Sequence, residues 1–141
     1  MDKRSFIRFG IAGLGAGIVA PQAVLATAEE SKLAGSVYYT KDAPGRWSKK
    51  VSGHLPHLAV EKSDNDYIIE VVTGHEMKGY DHYIIKHIVL DKNYKVMVEH
   101  MFNPMQDTQA LSRFRLKAYS GPVHVMSVCN KHDTWLNMIE V

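Results

Sequence analysis

Apolar and polar residues alternate along much of this chain with the period of a β-strand. The alternation is clearest in residues 113–119 and recurs in residues 94–102. In the first segment, Phe114, Leu116 and Ala118 alternate with Arg113, Arg115 and Lys117. In the second, one face carries Val96, Val98, His100 and Phe102. Because successive side chains of a strand point to opposite faces, both segments predict strands, and the first is predicted to bury its apolar residues.

Further strands are predicted from short runs of β-branched and aromatic residues that turn residues separate. The predicted strands are 58–62, 66–73, 82–90, 94–102, 113–119, 123–128 and 135–141. Asp91-Lys92-Asn93 and Gly121-Pro122 are typical turn sequences between them. Beyond the N-terminal segment, no stretch carries a helical apolar stripe of ten residues or more. About seven short strands with regular turns predict an all-β fold, an antiparallel β-sandwich.

The first 28 residues have the features of a secretory signal peptide. Lys3, Arg4 and Arg8 form a basic start, residues 9–20 are apolar and glycine-rich, and small residues lead to an exit near Ala28. The apolar run is shorter than the roughly 20 residues that span a bilayer. We predict a signal peptide over 1–28, one domain over 29–141 and no stable membrane span after cleavage. An uncleaved anchor is the alternative.

The start of this segment also indicates a route of export. Residues 3–7 read Lys-Arg-Ser-Phe-Ile, which approximates the twin-arginine signal with lysine in place of the first arginine. That pathway carries proteins that are already folded. We therefore predict a periplasmic or otherwise exported protein.

The basic charge of the chain lies mostly in the predicted signal peptide. The whole sequence has 17 Lys and Arg against 15 Asp and Glu, whereas residues 29–141 have 14 of each. No cluster of basic residues is interleaved with aromatic ones. Nucleic acid is therefore not an expected partner.

One cysteine and several of the eight histidines are candidate metal ligands. A single cysteine, Cys129, excludes an internal disulfide, and a lone thiol in an oxidising compartment is exposed to oxidation unless a metal occupies it. Cys129 and His132 form a Cys-x-x-His motif at the end of a predicted strand. His54 stands in a His-x-Pro motif, and His75 and His82 flank a loop between two strands. These five residues predict one metal site.

The composition of this site favours iron. Structural zinc commonly has four ligands with several cysteines, whereas many imidazoles with one thiolate suit iron or copper. Type 1 copper also uses Cys-x-x-His, but normally with a methionine a few residues later. Here the first methionine after His132 is Met138, six residues on and within a predicted strand. A cupredoxin-like copper protein is therefore kept only as an alternative.

The motifs resemble those of the superoxide reductases, the family of neelaredoxin and of the desulfoferrodoxin iron domain. The family pattern is His-x-Pro, then His-Pro-Met and His-Tyr-Ile, then Cys-Asn-x-His-Gly-x-Trp. The corresponding residues here are His54-Leu55-Pro56, His75-Glu76-Met77, His82-Tyr83-Ile84 and Cys129-Asn130-Lys131-His132-Asp133-Thr134-Trp135. The resemblance covers residues 46–135. It is to the one-iron type, since no second, four-cysteine site exists.

The resemblance implies an immunoglobulin-like β-sandwich with one non-haem iron. The four histidines of these motifs would be equatorial ligands, Cys129 axial, and the sixth position open to superoxide. The implied activity is the one-electron reduction of superoxide to hydrogen peroxide. A small rubredoxin-like or cytochrome-like donor protein would re-reduce the iron. Assembly into a homo-oligomer is left open.

The chain departs from the family pattern in the length of the loop from His75 to His82, which is one residue longer than usual, and at several residues. Ser52 and Gly53 stand where the family has Glu-Lys before the first histidine, Glu76 replaces a proline, and Asp133 replaces a glycine. The missing lysine is the residue taken to attract superoxide. Its absence motivates a second hypothesis, a non-catalytic iron protein for electron transfer or sensing.

Three residues are candidates to replace the missing pair. Lys78 and then Lys50 are predicted as the cation that attracts superoxide, and Glu76 as a carboxylate ligand of ferric iron. Among the other histidines, His57 is the alternative to His54 as a ligand. His87, His100 and His124 are expected at the surface or beside the site.

Overall fold

The computed structural model describes residues 32–141, so the predicted signal peptide lies outside the described residues. Seven strands form two antiparallel sheets: β1 (His57–Ser63), β2 (Asp66–Thr73), β3 (Ile84–Leu90), β4 (Val96–Met101), β5 (Ala110–Lys117), β6 (Pro122–Cys129) and β7 (Thr134–Glu140). The sheets have the strand orders β1-β2-β5 and β4-β3-β6-β7. The predicted all-β antiparallel sandwich is confirmed. Within residues 32–141, no helix is long and apolar enough to cross a bilayer.

The core lies between the two sheets. Its main cluster of buried side chains draws on six strands and comprises Leu58, Ile69, Val71, Val89, Phe114, Leu116, Val123, Val125 and Ile139. Burying one such side chain contributes about 1.5–3 kcal/mol. Burial of these side chains between the two sheets therefore stabilises their face-to-face packing.

The predicted inward face of β5 is correct except at Ala118, and the predicted face of β4 is mostly exposed. In β5, Phe114 and Leu116 are buried while the basic residues between them are exposed. Ala118 was predicted inward but is exposed, because the chain has left the strand and takes a φ of +50° there. On the predicted face of β4, only Phe102 just beyond the strand is buried, since β4 is an edge strand.

Strand register brings the candidate ligands to one end of the sandwich. β6 ends at Cys129, which pairs with Ile84 at the start of β3. His82 lies two residues before that start, and His75 lies two residues after the end of β2. A one-turn helix, α1 (Val51–His54), ends at the first histidine of the set. Strand ends and short connections thus supply the whole site.

A histidine buried between the sheets was not expected. His100 is exposed, but His87 is fully buried and His124 nearly so, so the surface prediction is wrong for these two. His87 Nε2 lies 2.9 Å from Thr73 Oγ1, and His87 Nδ1 lies 2.7 Å from Ser112 Oγ. Thr73 Oγ1 also lies 2.8 Å from Ser127 Oγ. These bonds join the two sheets through polar groups that all have partners.

Acid should destabilise the metal-free protein partly through His87. Burial, with a smaller contribution from nearby His100, lowers the pKa of His87 to about 3 from 6.5. Between these values the unfolded chain binds more protons, so the free energy of unfolding falls as pH drops below about 6.5. The expected loss from this group is about 3 kcal/mol at pH 4. Urea unfolding across pH should show a shallower acid slope for His87→Gln than for wild type. Equal slopes would contradict this account.

Candidate metal centre

Five side chains converge at this end of the sandwich. They are His54, His75, His82, Cys129 and His132, and one nitrogen or sulfur atom from each lies within 4.8 Å of all the others. These are the five residues that the sequence predicts as ligands. His57, the alternative to His54, is exposed on β1 and lies outside the group.

The spacing of the nitrogens fits a metal with ligands at right angles. His132 Nδ1 lies 3.1 Å from His54 Nε2 and 3.1 Å from His82 Nε2, and His82 Nε2 lies 3.0 Å from His75 Nε2. Two nitrogens bound at about 2.0–2.1 Å are about 3.0 Å apart at a right angle and about 3.4 Å apart at the tetrahedral angle. The observed spacing favours a square arrangement over the tetrahedral geometry of structural zinc.

The sulfur of Cys129 lies at a longer distance from these nitrogens. Sγ is 3.8 Å from His75 Nε2, 3.5 Å from His82 Nε2 and 3.6 Å from His132 Nδ1. Cys129 is 4% exposed and packs in an apolar cluster with Ile84, Phe102 and Ala110. The backbone N–H of Lys131 points at the sulfur over 3.5 Å. A metal bound here would take one soft ligand from an apolar pocket.

Backbone carbonyls fix which nitrogen of two histidines faces the centre. His54 Nδ1 donates to the Lys50 carbonyl at 2.9 Å, and His75 Nδ1 donates to the Glu76 carbonyl. Since a carbonyl only accepts, the proton lies on Nδ1, and the Nε2 lone pair of each ring is left for a metal. His132 is placed the other way, with Nδ1 toward the group.

Three of the four imidazoles have lowered pKa values, which favours their neutral form at physiological pH. Burial lowers the pKa of His54 to about 4, and His54 is only 4% exposed. Burial also lowers the pKa of His82 and of His132. For His82 the neighbouring imidazole of His75 adds to the effect, and for His132 the positive charge of Lys50 does so. A metal therefore displaces few protons when it binds these rings near neutral pH.

Asn130 ties together the two segments that carry three of the five side chains. Its Oδ1 accepts the Tyr83 backbone N–H at 3.0 Å, and its Nδ2 donates to the carbonyls of Asp81 at 3.1 Å and Tyr80 at 3.3 Å. The loop that bears His82 is thereby fixed to the Cys-x-x-His turn. The sequence gives Asn130 only as a motif residue, since its partners lie about 50 positions away.

Removing the Asn130 side chain should weaken metal binding. Groups that orient ligands typically contribute 10- to 100-fold in metal affinity. Asn130→Ala is therefore expected to lower affinity by about this factor in a chelator competition assay. Asn93→Ala is the control, because Asn93 is exposed in the turn between β3 and β4. This variant should bind the metal as tightly as wild type. Equal affinities for both variants would rule out this role for Asn130.

Comparison with known proteins agrees with this picture. No family model matches the chain, and no curated protein matches it in sequence. Solved structures do match. The superoxide reductase (neelaredoxin) of Ignicoccus hospitalis is 24% identical with a TM-score of 0.62, over 76% of this chain and 95% of that one. The chain has the fold of the superoxide reductases. The resemblance predicted from the motifs is thus confirmed at the level of fold.

Two more superoxide reductases match with similar coverage. That of Nanoarchaeum equitans is 19% identical with a TM-score of 0.56, over 64% of this chain and 94% of that one. A variant of the Archaeoglobus fulgidus neelaredoxin in the reduced form is also 19% identical, with a TM-score of 0.56, over 66% of this chain and 91% of that one. Nearly the whole of each of these proteins therefore corresponds to part of this chain.

The three residues predicted to replace the missing Glu-Lys pair differ in how they relate to the site. Lys78 Nζ lies 3.2 Å from the Glu76 carboxylate, and both side chains are more than half exposed. That carboxylate is not among the converging donors. Lys50 is exposed, and its charge lies close enough to His132 to lower the pKa of that ring. The structure therefore associates Lys50 with the site more directly than Lys78.

Proposed function

We propose that this chain is an exported mononuclear non-haem iron protein that reduces superoxide to hydrogen peroxide. The observation that carries the proposal is the convergence of four imidazole nitrogens, three of their spacings at 3.0–3.1 Å, with one buried thiol. Many imidazoles and one soft thiolate suit iron. A blue-copper site has two histidines, one cysteine and a weak axial ligand. Four histidines converge here, twice as many as such a site uses.

Bound at these residues, iron would supply the one electron that, with two protons, turns superoxide into hydrogen peroxide. The chain itself sets the charge around the reaction. Four neutral imidazoles and one thiolate leave a divalent ion with net positive charge, and a positive site attracts an anionic substrate. Cys129, as a buried thiolate, would donate electron density to such an ion, as in haem-thiolate proteins.

Of the two predicted cations, Lys50 is the better placed to add to this attraction. Its backbone carbonyl orients His54 and its charge acts on His132, so it lies at the rim of the site. Lys78, the first choice on sequence, is neutralised by Glu76. Glu76 is proposed as a ligand of ferric iron, and to reach the metal its carboxylate must break its ion pair with Lys78. Spectra of the oxidised Glu76→Ala variant that match those of wild type at every pH would reject that role.

The proposal extends to partners and location. A small rubredoxin-like or cytochrome-like protein would return the electron to the iron after each turnover. Export would follow the twin-arginine-like residues 3–7, so that the folded, metal-loaded domain reaches the periplasm.

Pulse radiolysis of the iron-loaded protein tests the activity. Reduced protein should consume superoxide and form one hydrogen peroxide for each iron oxidised. The second candidate is an electron-transfer or sensing protein, which the loss of Glu-Lys at Ser52 and Gly53 favours. An intact iron spectrum with no reaction above the rate of free iron would decide for that candidate.

A further inference from the structure

Side-chain contacts join Arg46 and Trp47, which precede helix α1, to the turn that carries the candidate ligand His132. Asp133 Oδ2 accepts hydrogen bonds from Arg46 Nη2 at 2.7 Å and from Trp47 Nε1 at 2.9 Å. The Arg46 guanidinium also lies over the Trp47 ring, 4.6 Å from its centroid. We call Arg46, Trp47 and Asp133 the clasp.

The clasp places an aromatic ring directly against a candidate ligand. The Trp47 indole meets the His132 imidazole edge-on, with ring centroids 4.7 Å apart and an interplanar angle of 89°. His132 is only half-buried, unlike His54 and His75. Trp47 therefore packs against a ligand ring that is not fully buried.

Asp133 has a backbone conformation that glycine adopts more readily than aspartate. Asp133 has a φ of +65°, in the left-handed region where glycine is favoured. The superoxide reductase motif has glycine at this position. An aspartate here keeps a strained backbone, and what it gains are the two hydrogen bonds to the clasp.

A second contact holds the N-terminal segment beside the same turn. Tyr39 pairs with β7 through two backbone bonds, Tyr39 N–H to the Thr134 carbonyl and Leu136 N–H to the Tyr39 carbonyl. Trp135, fully buried, donates from Nε1 to the His132 carbonyl at 2.9 Å. Trp135 thus holds the backbone of His132, and Trp47 packs against its ring.

We propose that Asp133 is a positioning residue that holds Trp47 against His132 and so slows release of the metal. The inference rests on the proposed metal site but not on superoxide reduction. A ligand leaves a metal by rotating its ring away, and Trp47, packed against the His132 ring, restricts that rotation. Without the clasp, His132 should detach more often and the metal should escape faster.

The test uses Asp133→Gly, with Asp64→Gly as a matched control. Asp64 is an exposed aspartate with a φ of +56° in the turn between β1 and β2, so both changes relieve the same backbone strain. Asp64→Gly therefore measures what relief of such strain does to the stability of the fold away from the site. We measure release of iron(II) and of cobalt(II) to excess chelator, and acrylamide quenching of tryptophan fluorescence.

The expected result is release at least about tenfold faster from Asp133→Gly, with wild-type release from Asp64→Gly. Quenching should also increase in Asp133→Gly, because Trp135 is buried and Trp47 is the tryptophan that becomes accessible. Trp47→Phe, which keeps a ring but lacks the N–H donor, should release metal at an intermediate rate. If Asp133→Gly folds poorly, the rate of metal release from Trp47→Phe tests the proposal by itself.

Bound metal with wild-type release from both Asp133→Gly and Trp47→Phe would overturn this inference alone. A wild-type protein that binds neither iron nor cobalt would overturn the proposed function together with it.

Discussion

Replacing Cys129 by serine is expected to give a folded domain that lacks the red absorption band of the oxidised, iron-loaded protein. The band would arise from charge transfer between a thiolate and ferric iron, and a serine oxygen is a harder and weaker donor to such a site. The change is close to isosteric, so the apolar pocket around residue 129 should survive. The absorption spectrum of the oxidised protein measures the effect.

Two histidine variants complete this experiment. His57→Ala should keep the band, since His57 is exposed on β1 and lies outside the converging group. His54→Ala should lose or shift it, because His54 Nε2 lies 3.1 Å from His132 Nδ1 within that group. An unchanged band in Cys129→Ser would show that sulfur is not a ligand.

Neutralising Lys50 is expected to slow the reaction with superoxide by about two- to tenfold at low ionic strength. Its charge lies near His132, at the site, whereas Lys78 is paired with Glu76. Salt screens such steering, with a Debye length of about 8 Å at physiological ionic strength. Lys50→Met should therefore also flatten the dependence of the rate on salt. Pulse radiolysis at several salt concentrations measures both effects.

The neighbouring lysines serve as controls for Lys50→Met. Lys49→Met makes the same change of charge at an exposed adjacent position, and Lys78→Met removes the cation that sequence alone ranks first. Both should react at close to the wild-type rate, with the iron spectrum intact. If Lys50→Met matches Lys49→Met in rate and in salt dependence, the positive metal centre alone attracts the substrate.

The fold was predictable because the strands either alternate or are rich in β-branched and aromatic residues, and turn residues separate them. Strand β2 was predicted at Asp66–Thr73, where it lies. The five converging residues were also predictable, because each stands in a short motif or beside a strand end. Helix α1 was not, since four residues are too few to show a helical period, yet it aims His54 through the Lys50 carbonyl.

What the sequence could not reveal depends on contacts between distant residues. Asp133 meets Trp47 across 86 positions, and His87 meets Ser112 across 25. No local pattern distinguishes such an aspartate or histidine from a solvated one. His87 was predicted at the surface or beside the site, and its burial excludes the surface alternative. The order of Lys78 before Lys50 likewise ignored Glu76, whose pairing with Lys78 only the folded loop reveals.

X-ray absorption at the edges of the metals in the purified protein tests the central claim most directly, because it identifies both the metal and its ligands. We expect close to one iron per chain, with about four nitrogen neighbours and one sulfur neighbour. Copper at full occupancy, or iron without a sulfur neighbour, would contradict the proposed site.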